Sequence, residues 1–167
     1  MELSFKLIMN SKEKSIAKGI SFGLTSGVIT TLGLLVGLES GTGSKTIVIA
    51  SIFIIAFSDG ISDALGMHLS EESNKKQTKE VWVTTVYTFF AKFATAMSFS
   101  IPLFLFSLSI GTAISVIWGT TLITALSFLI AKNNREKPVP IILEHLLIMF
   151  FVIAVSNYMG KVIFSII

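Results

Sequence analysis

Five long runs of hydrophobic residues, separated by polar stretches, dominate the pattern of this chain. Each run is apolar over about 20 residues or more, the length that an α-helix needs to cross the hydrocarbon core of a membrane. The runs are too long and too continuously apolar for barrel strands, and backbone amides in lipid must be hydrogen-bonded within their own segment. The pattern therefore predicts five transmembrane helices, at about 16–38, 46–70, 82–106, 111–131 and 139–165.

The composition agrees with this pattern. Of the 167 residues, 52% are hydrophobic and 14% are charged, and the mean hydropathy is +0.81, which lies outside the range of soluble domains. We predict an all-α, polytopic membrane protein in which residues 16–167 form a single five-helix domain whose first partner is the lipid bilayer. The chain has no cysteine, so disulfides and thiolate metal sites are excluded.

Three clusters of basic residues fall on one side of the predicted bundle, and the opposite connections carry only Lys45. They precede the first run, lie between the second and third, and lie between the fourth and fifth. The positive-inside rule then places the N-terminus in the cytoplasm and the C-terminus outside. Because the net charge is only +3 and the lysines cluster at these turns, nucleic acid is not an expected partner. The lysine-rich, arginine-poor composition favours a prokaryotic source, and hence a plasma membrane.

The N-terminal segment, residues 1–15, allows two interpretations. Leu3, Phe5 and Leu7 beside Lys6 are typical of a short helix lying in the membrane interface. The same residues are also consistent with a frayed terminus, and the sequence leaves both open.

Small residues and one proline predict features of the packing. Five glycines recur along the first run and leave a groove where another helix can approach closely: Gly19, Gly23, Gly27, Gly33 and Gly37. Pro102, late in the third run, is expected to bend or loosen that helix near its outer end.

An acidic stripe runs along the second predicted helix. Asp59, Asp63 and Met67 share a face at four-residue spacing, and Glu71 continues it. Inserting one ionised aspartate at the centre of a membrane helix costs about 2.5 to 3.5 kcal/mol, so such residues are usually functional. Carboxylates at that depth can hold a divalent cation, or can be protonated when no cation is bound, and exchange between these states would couple metal movement to proton movement.

Ser26 and Thr30, on the first helix, are candidates to add hydroxyl ligands to this stripe, although such hydroxyls often bond back to their own helix.

Lys92 gives a competing explanation for the buried aspartates, because in an antiparallel hairpin it reaches a depth similar to theirs. A buried ion pair with Asp59 or Asp63 would fix helix register without transporting anything.

A second candidate cluster lies at the cytoplasmic boundary. Imidazole and carboxylate together suit iron(II), manganese(II) or zinc better than calcium or magnesium. The alternative is that charged residues simply belong at helix ends in the interface. The candidates for a cytoplasmic entrance are His68, Glu71, Glu72, Glu144 and His145.

Three segments together resemble the vacuolar iron transporter family. "SFGLTSGVITTLGLLVG" (21–37) and "SDALGMHLSEES" (62–73) are similar to its first two helices, and "AVSNYMGKVI" (154–163) is similar to its fifth. The resemblance implies a five-helix protomer, a homodimer with the ion path between the first and second helices of the two subunits, and proton-coupled export of iron(II) or manganese(II).

The chain also departs from that family. Ser26 stands where the family usually has an aspartate, Asp63 where it has a methionine, and Met67 where a glutamate is common. The link at about 74–81 is too short for the cytoplasmic metal-binding domain of the plant and yeast-like members.

These observations predict a proton-coupled exporter of iron(II) or manganese(II), with Asp59, Asp63 and Met67 on the path and no resident cofactor. The alternative is a non-transporting membrane scaffold or metal sensor with an altered site on the same fold. An enzyme is not expected, because no nucleophile, base and orienting group occur at recognisable spacing.

Overall fold

The computed structural model describes residues 11–166, and all regular structure within that range is α-helical. Its helices are α1 (Ser11–Thr42), α2 (Lys45–Ser73), α3 (Thr78–Ser98), α4 (Ser100–Leu105), α5 (Leu108–Asn134) and α6 (Pro138–Ile166). Most of the predicted N-terminal interfacial segment lies outside the described residues. Its last residues, 11–15, already belong to α1.

The prediction of five spans is confirmed for the described part of the chain. Four single helices, α1, α2, α5 and α6, and the pair α3 with α4 are each long and apolar enough to cross a membrane. Five such helices are typical of an integral membrane protein. The helices extend past the predicted limits, since α1 begins at Ser11 and α2 ends at Ser73. The apolar run is matched to the hydrocarbon thickness, whereas helical hydrogen bonding continues into the interface where polar side chains are solvated.

The third span is broken near its C-terminal end, as Pro102 predicted. Helix α3 ends at Ser98 and α4 begins at Ser100, with Phe99 between them. Because Pro102 has no N–H, it cannot donate to the carbonyl of Ser98 four residues earlier. The N–H of Phe99 bonds to the carbonyl of Ala96, three residues earlier, at 3.1 Å, and this tighter turn ends α3.

Helix α1 is the centre of the bundle and contacts α2, α3, α5 and α6. Its glycines form the predicted packing face. A Cβ atom on Gly19 would lie 2.6 Å from the carbonyl oxygen of Thr84, and one on Gly23 would lie 2.5 Å from that of Thr88. Only glycine allows α1 and α3 to approach this closely. Gly33 and Gly37 face α6 in the same way, with their nearest neighbours at Val152 and Ser156.

The apolar core occupies the half of the bundle that lies away from the start of α1. It joins residues of α1, α2, α5 and α6 with Phe99 and with Leu103 of the short α4: Val28, Leu32, Leu35, Val36, Val48, Ile52, Phe99, Leu103, Ile123 and Met149. Large side chains such as Ile54, Leu147 and Phe151 are exposed on the outside of the protomer, as expected for a surface solvated by lipid. In the half nearer the start of α1, the buried positions include polar residues, among them Thr84, Thr88 and Lys92.

A left-handed residue separates the first two helices. Gly43 has φ of +61°, a conformation that glycine adopts without the steric cost other residues carry. Ser44 follows and caps α2 by accepting a hydrogen bond from the N–H of Ile47 at 3.4 Å.

Candidate functional site

A buried lysine joins two aspartates and a serine inside the membrane span. The Lys92 ammonium forms ion pairs with Asp59 and Asp63 of α2. It also donates to Ser26 Oγ of α1 at 2.9 Å, and Ser26 Oγ donates to Asp63 Oδ2 at 2.5 Å. Three helices therefore meet at one polar cluster, which we call the Asp–Lys cluster: Ser26, Asp59, Asp63 and Lys92.

The two aspartates are held differently. Asp63 accepts aligned hydrogen bonds from both Lys92 and Ser26. Asp59 Oδ2 lies against the same ammonium, but the approach is not aligned for a hydrogen bond, and within residues 11–166 no other group donates one to this oxygen. Asp63 is thus the anchored carboxylate and Asp59 the less satisfied one.

The glycine face of α1 explains why Lys92 reaches this point. A Cβ atom on Gly23 would lie 3.0 Å from the backbone nitrogen of Lys92, and one on Gly27 would lie 3.2 Å from the backbone carbonyl oxygen of Lys92. The backbone of α3 at Lys92 is therefore in direct contact with α1. This close approach places the Lys92 side chain beside Ser26, which lies on α1 one turn after Gly23.

The lysine lies behind the carboxylates. The Lys92 side chain is 1% exposed, whereas those of Asp59 and Asp63 are 28% and 21% exposed. A cation approaching from outside the protomer meets carboxylate oxygens before it meets the ammonium.

The structure separates the other predicted path residues. Met67 is buried on α2, one turn beyond Asp63. The hydroxyl of Thr30 donates to the Ser26 carbonyl at 2.9 Å, so it bonds back to its own helix, the alternative that the sequence left open. Ser26 joins the aspartates, and Thr30 does not.

The predicted entrance residues of α2 form two separate sets of contacts, one around His68 and one at Glu71. His68 Nδ1 lies 2.9 Å from the Thr85 hydroxyl of α3, and its ring packs edge-on against Trp82. Glu72 lies 3.5 Å from His68 Nε2. Glu71 is buried and pairs with Lys18 of α1, a partner that the sequence reasoning missed.

The entrance residues of α6 lie elsewhere. His145 Nδ1 is 2.7 Å from the Ser127 hydroxyl of α5, and Glu144 is exposed. The two histidines therefore face different helices and do not form one cluster. Across residues 11–166, no three side chains of His, Asp or Glu converge as a metal-binding group. Their role at an entrance stays a prediction, with the α2 and α6 residues acting separately.

We compared the chain with models of protein families, with curated proteins and with solved structures, and none of the three comparisons gave a match.

Proposed function

We propose that this protein moves a divalent metal cation, iron(II) or manganese(II), out of the cytoplasm in exchange for protons, with Asp59 and Asp63 as the carboxylates that bind the metal. The observation that carries the proposal is the charge of the Asp–Lys cluster. One lysine faces two aspartates, so one unit of negative charge remains inside the membrane span when all three groups are ionised.

That surplus argues against a purely structural pair. A lysine and a single aspartate neutralise each other and fix helix register, and a second aspartate only adds an insertion cost of about 2.5 to 3.5 kcal/mol. The surplus carboxylate attracts a further cation. A proton neutralises the cluster in the empty state, and a divalent metal that replaces the proton in the loaded state changes the net charge of the cluster from 0 to +1, so the two exchange at one site.

The ligand chemistry supports a transition metal. Carboxylates of Asp59 and Asp63 and the hydroxyl of Ser26 supply oxygen, and Met67, buried one turn away, supplies a thioether. A thioether beside oxygen ligands suits a softer metal such as iron(II) better than an all-oxygen cation such as calcium, and manganese(II) accepts the oxygen ligands alone. The resemblance to vacuolar iron transporters points to the same two metals.

The exposed side of the cluster supports a homodimer. Next to the acids, α2 presents a face of small residues, and all of them are exposed in the protomer: Ser58, Ser62, Gly66 and Ser70. Carboxylates that are about a quarter exposed cannot face lipid without a large penalty. A second copy packed on this face of α2 would cover them and complete the path.

Metal flux into proteoliposomes tests the proposal. Vesicles that contain a metal-sensitive dye and a pH dye should show uptake of manganese(II) with opposite proton movement. Asp63→Asn should reduce both to the level of empty vesicles, whereas Glu136→Gln, which removes an exposed acid from the α5–α6 turn, should not. Wild-type flux no greater than that of empty vesicles would end the proposal.

A second candidate is a non-transporting scaffold or metal sensor. The observation that favours it is that Lys92 already contacts both carboxylates, so the cluster is held together without metal. Under this candidate, Asp59→Asn and Asp63→Asn change stability alone, and neither proton nor metal crosses the membrane.

A further inference from the structure

A second lysine–acid pair lies between α1 and α2, apart from the Asp–Lys cluster. Lys18 of α1 forms an ion pair with Glu71 of α2. The Glu71 side chain is 3% exposed and that of Lys18 is 49% exposed. The pair therefore sits at the boundary between solvent and the interior, with the acid on the inner side.

The pair is in register with the cluster. Glu71 follows Asp63 by eight residues, and Lys18 precedes Ser26 by eight residues. Eight residues are about two helical turns, or about 12 Å, so each pair lies on the same two helix faces. The Lys18–Glu71 pair is the one nearer the predicted cytoplasmic end.

A buried side chain lies between the two pairs along α2. Met67 lies midway between Asp63 and Glu71 on the same face of α2, and it is only 7% exposed. Along the α1–α2 seam, a cation coming from the cytoplasm would therefore meet the ion pair first, then the thioether, and then the carboxylates.

We propose that the Lys18–Glu71 ion pair is a gate that closes the cation path at its cytoplasmic end. This inference rests on the proposed function of Asp59 and Asp63. A buried carboxylate is strongly disfavoured when its partner leaves and nothing replaces it. Lys18 consequently swings away from Glu71 only when another cation takes its place, which couples opening of the gate to arrival of the transported ion.

Thiol labelling tests the gate without measuring transport. The chain has no cysteine, so Met67→Cys adds a single reporter directly behind the ion pair. The probe is a cationic, membrane-impermeant methanethiosulfonate, applied to membrane vesicles of both orientations. We expect slow labelling when only the reporter is present, and labelling faster by about tenfold or more when Lys18→Met is added, from one side of the membrane only.

Two further variants separate the gate from a general loosening of the fold. Lys14→Met removes an exposed lysine one turn away on α1 and should leave the labelling rate unchanged. Lys18→Glu should open the site, and combining it with Glu71→Lys should restore slow labelling, because the exchanged pair closes the same seam. An unchanged rate in Lys18→Met, an equal rise in Lys14→Met, or no restoration by the exchanged pair would each overturn the gate.

The outcome is distinguishable from failure of the proposed function. Labelling that responds to Lys18 while proteoliposomes show no flux would mean that the pair closes a cavity that does not transport. Flux without any labelling response would leave transport standing and remove the gate.

Discussion

Replacing Lys92 by methionine is the substitution whose effect follows most directly from the structure. Methionine keeps most of the apolar stem of this side chain, which is 1% exposed, and removes only the ammonium. Asp59 and Asp63 are then left without their cation inside the span. Removing one partner of a fully buried ion pair costs about 3 to 5 kcal/mol. Since the two carboxylates are 28% and 21% exposed, water reaches them in part, and we expect a loss of about 2 to 4 kcal/mol in the free energy of unfolding.

Two further variants test whether that loss comes from the unpaired carboxylates. Asp59→Asn leaves Lys92 with Asp63 as a balanced pair, so its cost should stay below about 1 kcal/mol. The triple variant that neutralises Lys92, Asp59 and Asp63 together removes every charge and should recover much of the loss, because replacing a whole buried ionic group is often close to neutral.

The measurement is reversible unfolding in mixed micelles of dodecyl maltoside and SDS, followed by circular dichroism. All variants are compared at one fixed protein concentration, since self-association would shift the apparent stability. A Lys92→Met variant within about 0.5 kcal/mol of wild type, or an Asp59→Asn variant that costs as much as Lys92→Met, would refute the account of the cluster.

Three other predictions concern single positions. Gly23→Ala places a Cβ atom 2.5 Å from the Thr88 carbonyl oxygen and should lower the free energy of unfolding by about 1 to 3 kcal/mol, because it forces α1 and α3 apart. The control, Ala113→Leu at an exposed position of α5, should change the free energy of unfolding by no more than about 0.5 kcal/mol. Gly43→Ala meets no atom within 4 Å but must keep φ of +61°, so unfolding should show a loss of about 1 to 2 kcal/mol from backbone strain alone. Asp59→Asn should abolish manganese(II) flux into proteoliposomes while the protein stays folded, because the balanced pair no longer attracts a second cation; retained flux would contradict the charge argument.

The number of spans could be predicted because apolar length is matched to membrane thickness. The helix ends could not, since hydrogen bonding along α1 continues through the polar residues from Ser11 onward, and nothing in an apolar run marks where this stops. The spacing of the glycines predicted a packing face, but it did not say that Gly19–Gly27 would face α3 and Gly33 and Gly37 would face α6. That choice depends on how the whole bundle packs.

The candidate site was predictable in part, because the sequence gives the depth of a residue in the membrane but not how the helices pack around it. The depth of Lys92 along its hairpin identified it as a partner for the acids. That one ammonium contacts both acids and Ser26 depends on the distance between α1 and α3, which the glycines set. His68 and His145 share a membrane edge in the sequence, yet each bonds to a hydroxyl of its own neighbour, Thr85 or Ser127. The depth of a residue within the membrane span follows from its position in the sequence, whereas the neighbouring helix that it faces does not.

The central claim is that Asp59 and Asp63 share a site that a second cation completes. Anomalous scattering from crystals soaked in manganese(II) tests it most directly, because it locates the ion and identifies it at once. The account predicts a manganese peak between the two carboxylates in wild type, with the Lys92 ammonium displaced from at least one of them, and no peak in Asp63→Asn. A soaked wild-type crystal with no peak there, and with Lys92 still bridging both aspartates, would contradict it.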